Sequence, residues 1–421
     1  MHAVPMVLVL SAFLVPTRGA PDGQAGTPPP EPLPEVLVFA RGNNQLALDM
    51  LRTLPDPTGN LVFSPYSIST SLAMTTVGSG GETQGEILDS LHYPDPPAAV
   101  PAAAGGLMQA VDSGEGEAST MVTANALWPD TAFPLSPSFQ AIIAQRLRGM
   151  AEPVDFRRDP NGARTRINQW VSDITQGKIP ELLEPGTVDS QTALVLTNAV
   201  YFKGKWQDPF DKGNEVQGTF HRAGQEVPVA FMNRTGTYPT GTGPGFRVAA
   251  LPYAGGRQSM VLMVPNEVDG LSMLERRLAA PEGLELLDST LEALQPAELT
   301  LQLPGFRLST GLSLKDTLQA LGIRRAFDPA TADLRPMLDP ARSAGIPQLY
   351  LGAVEHKATI EVDEEGTVAT AATGQVVQLT SVRQEPVLFR ADRPFLALVR
   401  DDATGAILFV ARVTDPTQGP S

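Results

Sequence analysis

The period of hydrophobic and polar positions changes several times along the chain. Between residues 43 and 54, Leu46, Ala47, Met50, Leu51 and Leu54 recur at the spacing of one helix face. Residues 164–183 read as a second helix followed by a turn at Gly177-Lys178. Strand-like apolar runs cover 193–202, 259–264, 299–303, 358–362, 395–399 and 406–413. Helices and strands do not alternate regularly, which disfavours a doubly wound parallel sheet. The long strands late in the chain predict large antiparallel or mixed sheets with helices packed on one side.

The two ends read differently. Residues 6–15, MVLVLSAFLV, form an apolar run followed by Gly19 and Ala20, so residues 1–20 are expected to be a signal peptide. The run is shorter than the about 20 residues that span a bilayer. No Lys or Arg precedes it, and Pro21 follows the expected cut. Residues 21–36 are Pro- and Gly-rich and read as an extended linker, and 417–421 read as a short frayed tail. The expected location is secreted and extracellular, or periplasmic in a bacterial source.

Composition narrows the chemistry. The chain has 421 residues, 42% hydrophobic and 18% charged, enough apolar material for a large core. Length alone points to two or three domains. There are 31 Lys and Arg against 46 Asp and Glu, a net charge of −15, which disfavours nucleic acid as a partner. Cysteine is absent, so disulfides, thiolate metal sites and a catalytic thiol are excluded. The histidines, His2, His92, His221 and His356, never stand at metal-ligand spacing. No G-x-S-x-G elbow accompanies them, so a hydrolase would need an unrecognised triad. The P-loop look-alike at Gly177-Lys178 fails because Ile179 follows. No metal, cofactor or membrane partner is expected.

Three segments carry a resemblance: NLVFSPYSISTSLAMTTVGSGGETQGEIL from Asn60, TNAVYFKGKWQDPFD from Thr197, and FRADRPFLALVRDDATGAILFVARVTDP from Phe389. TANALW from Thr123, VDF from Val154, INQWVSDITQGKI from Ile167 and LPGFRLSTGLSLKDTLQALGI from Leu303 fall in the same order. Together the chain resembles the serpins, serine protease inhibitors of the conformational-trapping type. The resemblance implies an α+β serpin fold over residues 37–416: a single domain with three β-sheets, eight or nine helices and an exposed reactive-centre loop. It replaces the expectation of two or three domains. It also implies a monomeric protein that is no enzyme. The target serine protease cuts the loop, which inserts into the main sheet while the protease is covalently attached. A non-inhibitory serpin, a carrier or storage protein, is the alternative.

The implied loop covers about 364–388, with its hinge at Glu364, Gly366, Thr367, Ala369, Ala371 and Ala372. Residues 367–382 contain no charged residue and no proline. A central strand requires both absences, because proline removes a ladder hydrogen bond and a buried charge needs a partner. An ordinary polar loop would also suit small neutral residues, but such loops commonly carry charge, proline or asparagine. As a strand, 367–380 would reach roughly 45 Å. If Thr367, Ala369 and Ala371 face the core, so does Gln375, whose amide then needs partners. The family's cut lies sixteen positions beyond the hinge glutamate, which from Glu364 gives Thr380 and a bond to Ser381. Leu379 and Arg383 are the alternatives. Thr380 suits an elastase-like or subtilisin-like protease, Leu379 a chymotrypsin-like one, and Arg383 a trypsin-like one.

The resemblance also implies a polar cluster where the main sheet opens, at Ser64, Ser67, Asn198 and His356. Without it, His356 would read as a satisfied core histidine. At the top of the sheet the matching positions are Trp206 and Glu364. Many serpins pair that glutamate with a lysine just after a Leu-Pro. Here Gly305 follows Leu303-Pro304, so the pair is lost or made by another residue, with Arg307 the candidate. Residues 96–117, where heparin-binding relatives are basic, contain no Lys or Arg, which disfavours heparin-type activation. Arg146, Arg148, Arg157, Arg158, Arg164 and Arg166 read as solvated or salt-bridged. Asn233-Arg234-Thr235 is a glycosylation sequon.

Overall fold

The computed structural model describes residues 31–54, 59–94, 96–112, 119–222, 224–364 and 385–419. The expected signal peptide, most of the linker and the loop positions Gly366, Thr367, Ala369, Ala371, Ala372, Gln375, Leu379, Thr380, Ser381 and Arg383 lie outside the described residues. Pro32–Ser421 form one compact unit.

Among the described residues the α-helices are α1 (Pro34–Thr53), α2 (Pro65–Val77), α3 (Gly81–Ser90), α4 (Val100–Asp112), α5 (Pro137–Arg146), α6 (Pro160–Ile174), α7 (Leu271–Leu278), α8 (Gly283–Glu292) and α9 (Lys315–Ala320). The first begins inside the expected linker. Pro34 opens it, where a missing N–H costs nothing, and Val36, Phe39 and Ala40 extend its buried face ahead of residue 43. The expected helix at 164–183 is α6, which begins at Pro160, and the chain turns at Gly177 with φ +76°.

The strands are β1 (Leu61–Phe63), β2 (Ser119–Pro129), β3 (Met150–Ala151), β4 (Leu194–Gly204), β5 (Val216–Arg222), β6 (Gln225–Gly243), β7 (Phe246–Pro252), β8 (Gln258–Pro265), β9 (Gln295–Pro304), β10 (Phe306–Ser313), β11 (Ala353–Val362), β12 (Val387–Arg390), β13 (Phe395–Asp401) and β14 (Ile407–Val413). One sheet runs β10-β11-β4-β2-β3. The others join in one hydrogen-bonded path, β1-β14-β13-β8-β7-β6-β9-β12, with β5 on β6. Long β6 belongs to both halves of that path: it pairs with β5 and β9 along most of its length and with β7 at its end. Among the described residues the strands therefore form two hydrogen-bonded sheets where three were expected, because long β6 keeps the nine-stranded path continuous. Val387 and Leu388, expected in the loop, already pair with Leu299 and Thr300 in β12.

The five-stranded sheet separates two cores. Strand period 2 sends Ala124, Ala126, Trp128, Val195, Ala199 and Ala353 to one face, where they pack with Ile167 and Val171 of α6. Leu196, Val200, Phe202, Val354, Ala358 and Ile360 point the other way, into the main core with α1, α2 and α4. The tail is tied at its start, since Thr417 donates to Asp415 Oδ1 from N (3.0 Å) and Oγ1 (2.6 Å).

Candidate functional site

The inner face of the five-stranded sheet is mostly apolar, and one buried polar row crosses it. Asn198 on β4 is the register partner of Asn125 on β2 and of His356 on β11. Three polar side chains thus cross three strands in a single row, all buried. β2 and β4 are antiparallel, whereas β4 and β11 are parallel.

The row sits on α2. Pro65 opens that helix and Ser64 caps it, its Oγ accepting from the N–H of Ser67 at 3.1 Å. The helix is buried on all sides, so its hydroxyls face protein and not water. Ser64 Oγ donates to the Leu408 carbonyl at 2.6 Å, and Ser64 N–H donates to His356 Nε2 at 3.2 Å. That bond leaves Nε2 unprotonated, so the imidazole proton is on Nδ1 and is donated to Asn198 Oδ1. Full burial holds the His356 pKa down at about 3, and the ring is neutral.

The two amide protons of Asn198 have four acceptors in reach: Ser67 O (2.5 Å), Ser67 Oγ (2.7 Å), Ser71 Oγ (2.7 Å) and Asn125 Oδ1 (2.9 Å). Asn125 also accepts from Ser67 Oγ at 3.1 Å and donates to Thr70 Oγ1 at 3.3 Å. Ser64, Ser67, Asn198 and His356 are thus brought together, and Asn125, Ser71 and Thr70 join them. An asparagine amid the apolar positions of TANALW was the available signal for Asn125. The Asn198 amide has more acceptors in reach than protons, so its bonds can be exchanged as strands shift.

Glu355 precedes His356 and points to the opposite face. It borders a cavity of about 390 Å³ with Glu184, Thr187, Ser313 and Lys315. Burial, with a smaller push from Glu184, raises its pKa to about 7 against the pull of a Ser313 hydrogen bond.

At the upper end of β11, Lys203 Nζ reaches Asp363 Oδ2 at 2.7 Å and Trp206 Nε1 donates to the Asp363 carbonyl at 2.8 Å. The indole stacks on Tyr253 at 4.6 Å, and Phe210 meets its edge at 6.0 Å. Phe210 N–H donates to the Glu364 carbonyl at 3.1 Å. Trp206 therefore holds the backbone beside Glu364 and not its carboxylate. Arg307 does not replace the missing lysine: being level with Glu361 across β10 and β11, it pairs with that residue at 3.1 Å. The Glu364 side chain instead lies beside that of Glu215 and raises the Glu215 pKa. A Cβ at Gly305 would have only Val362 O nearby, at 3.4 Å.

Four of the six arginines in the basic stretch are salt-bridged: Arg148 to Asp112, Arg157 to Asp130, Arg164 to Glu181 and Arg166 to Glu152. The sequon lies within β6, where Asn233 Oδ1 accepts from Gln302 Nε2 at 3.3 Å. No described helix is long and apolar enough to cross a membrane.

Comparison with known proteins decides the family. A model of the Serpin family, serine protease inhibitors, matches residues 41–416. The chain belongs to the serpin family. Leukocyte elastase inhibitor of Bos taurus is 35% identical over 396 residues, 90% of this chain and 99% of that protein. Antithrombin-III of Mus musculus is 30% identical over 413 residues, 94% of this chain and 85% of that protein. Among solved structures, Arabidopsis AtSerpin1 in its native stressed conformation matches with a TM-score of 0.81 and 29% identity, covering 91% of this chain and 99% of that one. In this serpin the polar row lies under the junction of β4 and β11, and β11 leads directly to the segment expected to be the reactive-centre loop.

Proposed function

We propose that this serpin is a suicide-substrate inhibitor of serine proteases. The observation that carries the reading is the parallel pairing of β4 and β11 above an exchangeable polar row. A strand added between two parallel neighbours can run antiparallel to both, which is the direction available to a chain that leaves β11 and turns back. Insertion would replace one parallel pairing by two antiparallel ones, slightly more stable per residue. Residues 367–382, uncharged and proline-free, can enter such a position without stranding a charge or losing a ladder bond. The polar row lowers the cost of parting the strands, since its donors have alternative acceptors.

The protease supplies the catalytic serine and forms the acyl-enzyme. This chain contributes the bait peptide and the folding free energy released by insertion, and it needs no cofactor. The bond cut is Thr380–Ser381, and the target has a small or shallow primary pocket, elastase-like or subtilisin-like. The relatives named as leukocyte elastase inhibitors favour this assignment. A cut after Arg383 would lengthen the inserted segment by three residues, so trypsin-like proteases are trapped poorly. The protein acts as a secreted monomer and without heparin-type activation.

Incubation with elastase, subtilisin, chymotrypsin and trypsin, read on a denaturing gel, tests the reading. A gel-stable adduct with at least one of the first two is the expected result. Cleavage by every protease with full retention of its activity would make the protein a carrier or storage serpin instead.

A further inference from the structure

The chain carries an excess of 15 negative charges, yet three guanidiniums gather with little to neutralise them. Arg277 Nη1 donates to the Pro244 carbonyl in the turn between β6 and β7. Asn266, just beyond β8, donates from its backbone N–H to Gly245 O of that turn at 2.9 Å. The Asn266 carbonyl in turn takes Arg393 Nη1 at 2.5 Å. Arg247 on β7 sets its Nη1 on the Leu388 carbonyl of β12 at 3.1 Å and lies over the Phe389 ring at 5.3 Å. Burial, and after it the nearby Arg393, lower the Arg247 pKa, with Asp392 acting in the other direction. Among the described residues no carboxylate is within ion-pair distance of Arg247 or Arg277, and Arg393 has only Asp392, at 2.9 Å, which Arg390 also approaches at 4.0 Å. Docking on a carbonyl orients a guanidinium without cancelling its charge. Beside these cations stand Val387, 64% exposed, and Leu388, 47% exposed.

We infer that Arg247, Arg277 and Arg393, with Val387 and Leu388, form a docking surface for an acidic patch on the protease that attacks the loop. This rests on the inhibitor reading above. Charge complementarity selects the occupant: in a chain of net charge −15 this patch presents cations, which suit an acidic partner. Leu388 follows Thr380 by eight residues, so the two cannot be more than about 28 Å apart in any conformation. A standard interface buries about 800 Å² per partner, roughly 30 Å across, which is wide enough to include both the scissile bond and this patch. Arginine beside exposed apolar side chains is the composition of a protein interface, whereas a sulfated polysaccharide would have no use for Val387 and Leu388.

The test uses full-length protein and an Arg247→Gln/Arg277→Glu variant. Two proteases that cut the same bond are compared, one with an acidic and one with a basic surface around its cleft. The rate of loop cleavage, whether the protease is then trapped or released, is followed from low to high salt. At low salt the variant should react about tenfold more slowly with the acidic protease, and the difference should vanish at high salt. The ratio of trapped to released protease should not change. If trapping itself fails, protease is released active while the charge effect persists, so the two readings fail separately. Should the double variant misfold, Arg277→Glu alone, which leaves Arg247 on Leu388, must still slow the reaction. Equal rates for wild type and variant would overturn the proposal. So would loss of retention on immobilised heparin with protease rates unchanged, which would make the patch a polyanion site.

Discussion

His356 on β11 donates from Nδ1 to Oδ1 of Asn198, its register partner on β4, across the parallel junction of the five-stranded sheet. The same ring accepts from Ser64 N–H, so one neutral imidazole links two strands and the start of α2. A protonated ring has no lone pair for Ser64, and this gives the junction a pH dependence.

Above pH 6.5 the imidazole is neutral whether the chain is folded or not, so it contributes no pH dependence there. Below that value the unfolded chain takes up a proton that the native state refuses until about pH 3. Stability should therefore fall as pH drops through this window, by up to about 1.4 kcal/mol per pH unit from this residue. In His356→Gln that component should disappear, while stability at pH 8 should drop by about 1–3 kcal/mol from the broken network. Urea midpoints at pH 5 and pH 8 for both proteins would check this; an equal acid loss in the two would refute it.

Glu355, on the other face of β11, works in the opposite sense. Its pKa is raised from 4.5 to about 7, so its contribution is fully present below pH 4.5 and is lost as pH rises through 7. Glu355→Gln should raise stability at pH 8 by roughly 1–3 kcal/mol and leave it nearly unchanged at pH 4. Thermal melting of the pair at those two pH values is sufficient, and equal gains at both would mean that Glu355 is not buried as a charge.

Much of the fold was legible in the sequence because apolar runs mark strands buried on both faces. The runs at 193–202, 259–264, 358–362, 395–399 and 406–413 fall in β4, β8, β11, β13 and β14, the third extended back to Ala353. β6 was not legible: its Thr-, Gly- and Pro-containing half-exposed face has neither a continuous apolar run nor clean alternation. The polar row was only partly visible. Asn198 and His356 were located by resemblance, but no periodicity could pick out Ser71 or Thr70, because α2 is buried all round and has no polar face. The partner of Glu364 was also hidden, since Glu215 lies far from it in sequence and meets it only through the fold.

Gly305→Lys would place a cation near Glu364, whose side chain lies beside Glu215, and a Cβ at residue 305 has room. The native form should gain about 0–1 kcal/mol. Loop insertion should slow, and the moles of inhibitor consumed per protease should rise. A melting temperature and stoichiometry equal to wild type would show that the new lysine does not reach Glu364.

At the hinge, Ala369→Arg would force a charge into the sheet with the inserting strand, at a cost of several kcal/mol unless it finds a partner. Deacylation should then overtake insertion and turn the inhibitor into a substrate. Titration of protease activity against inhibitor reads this directly, and an unchanged stoichiometry would place Ala369 on the solvent face of the inserted strand.

Mass spectrometry of the peptide released when the covalent complex forms tests insertion and its register together. The expected fragment begins at Ser381, accompanied by a gel-stable adduct of protease with the remainder of the chain. A fragment beginning at Gln384, or free peptide without any adduct, would contradict a strand inserted from Thr367 to Thr380 with the protease attached at its end.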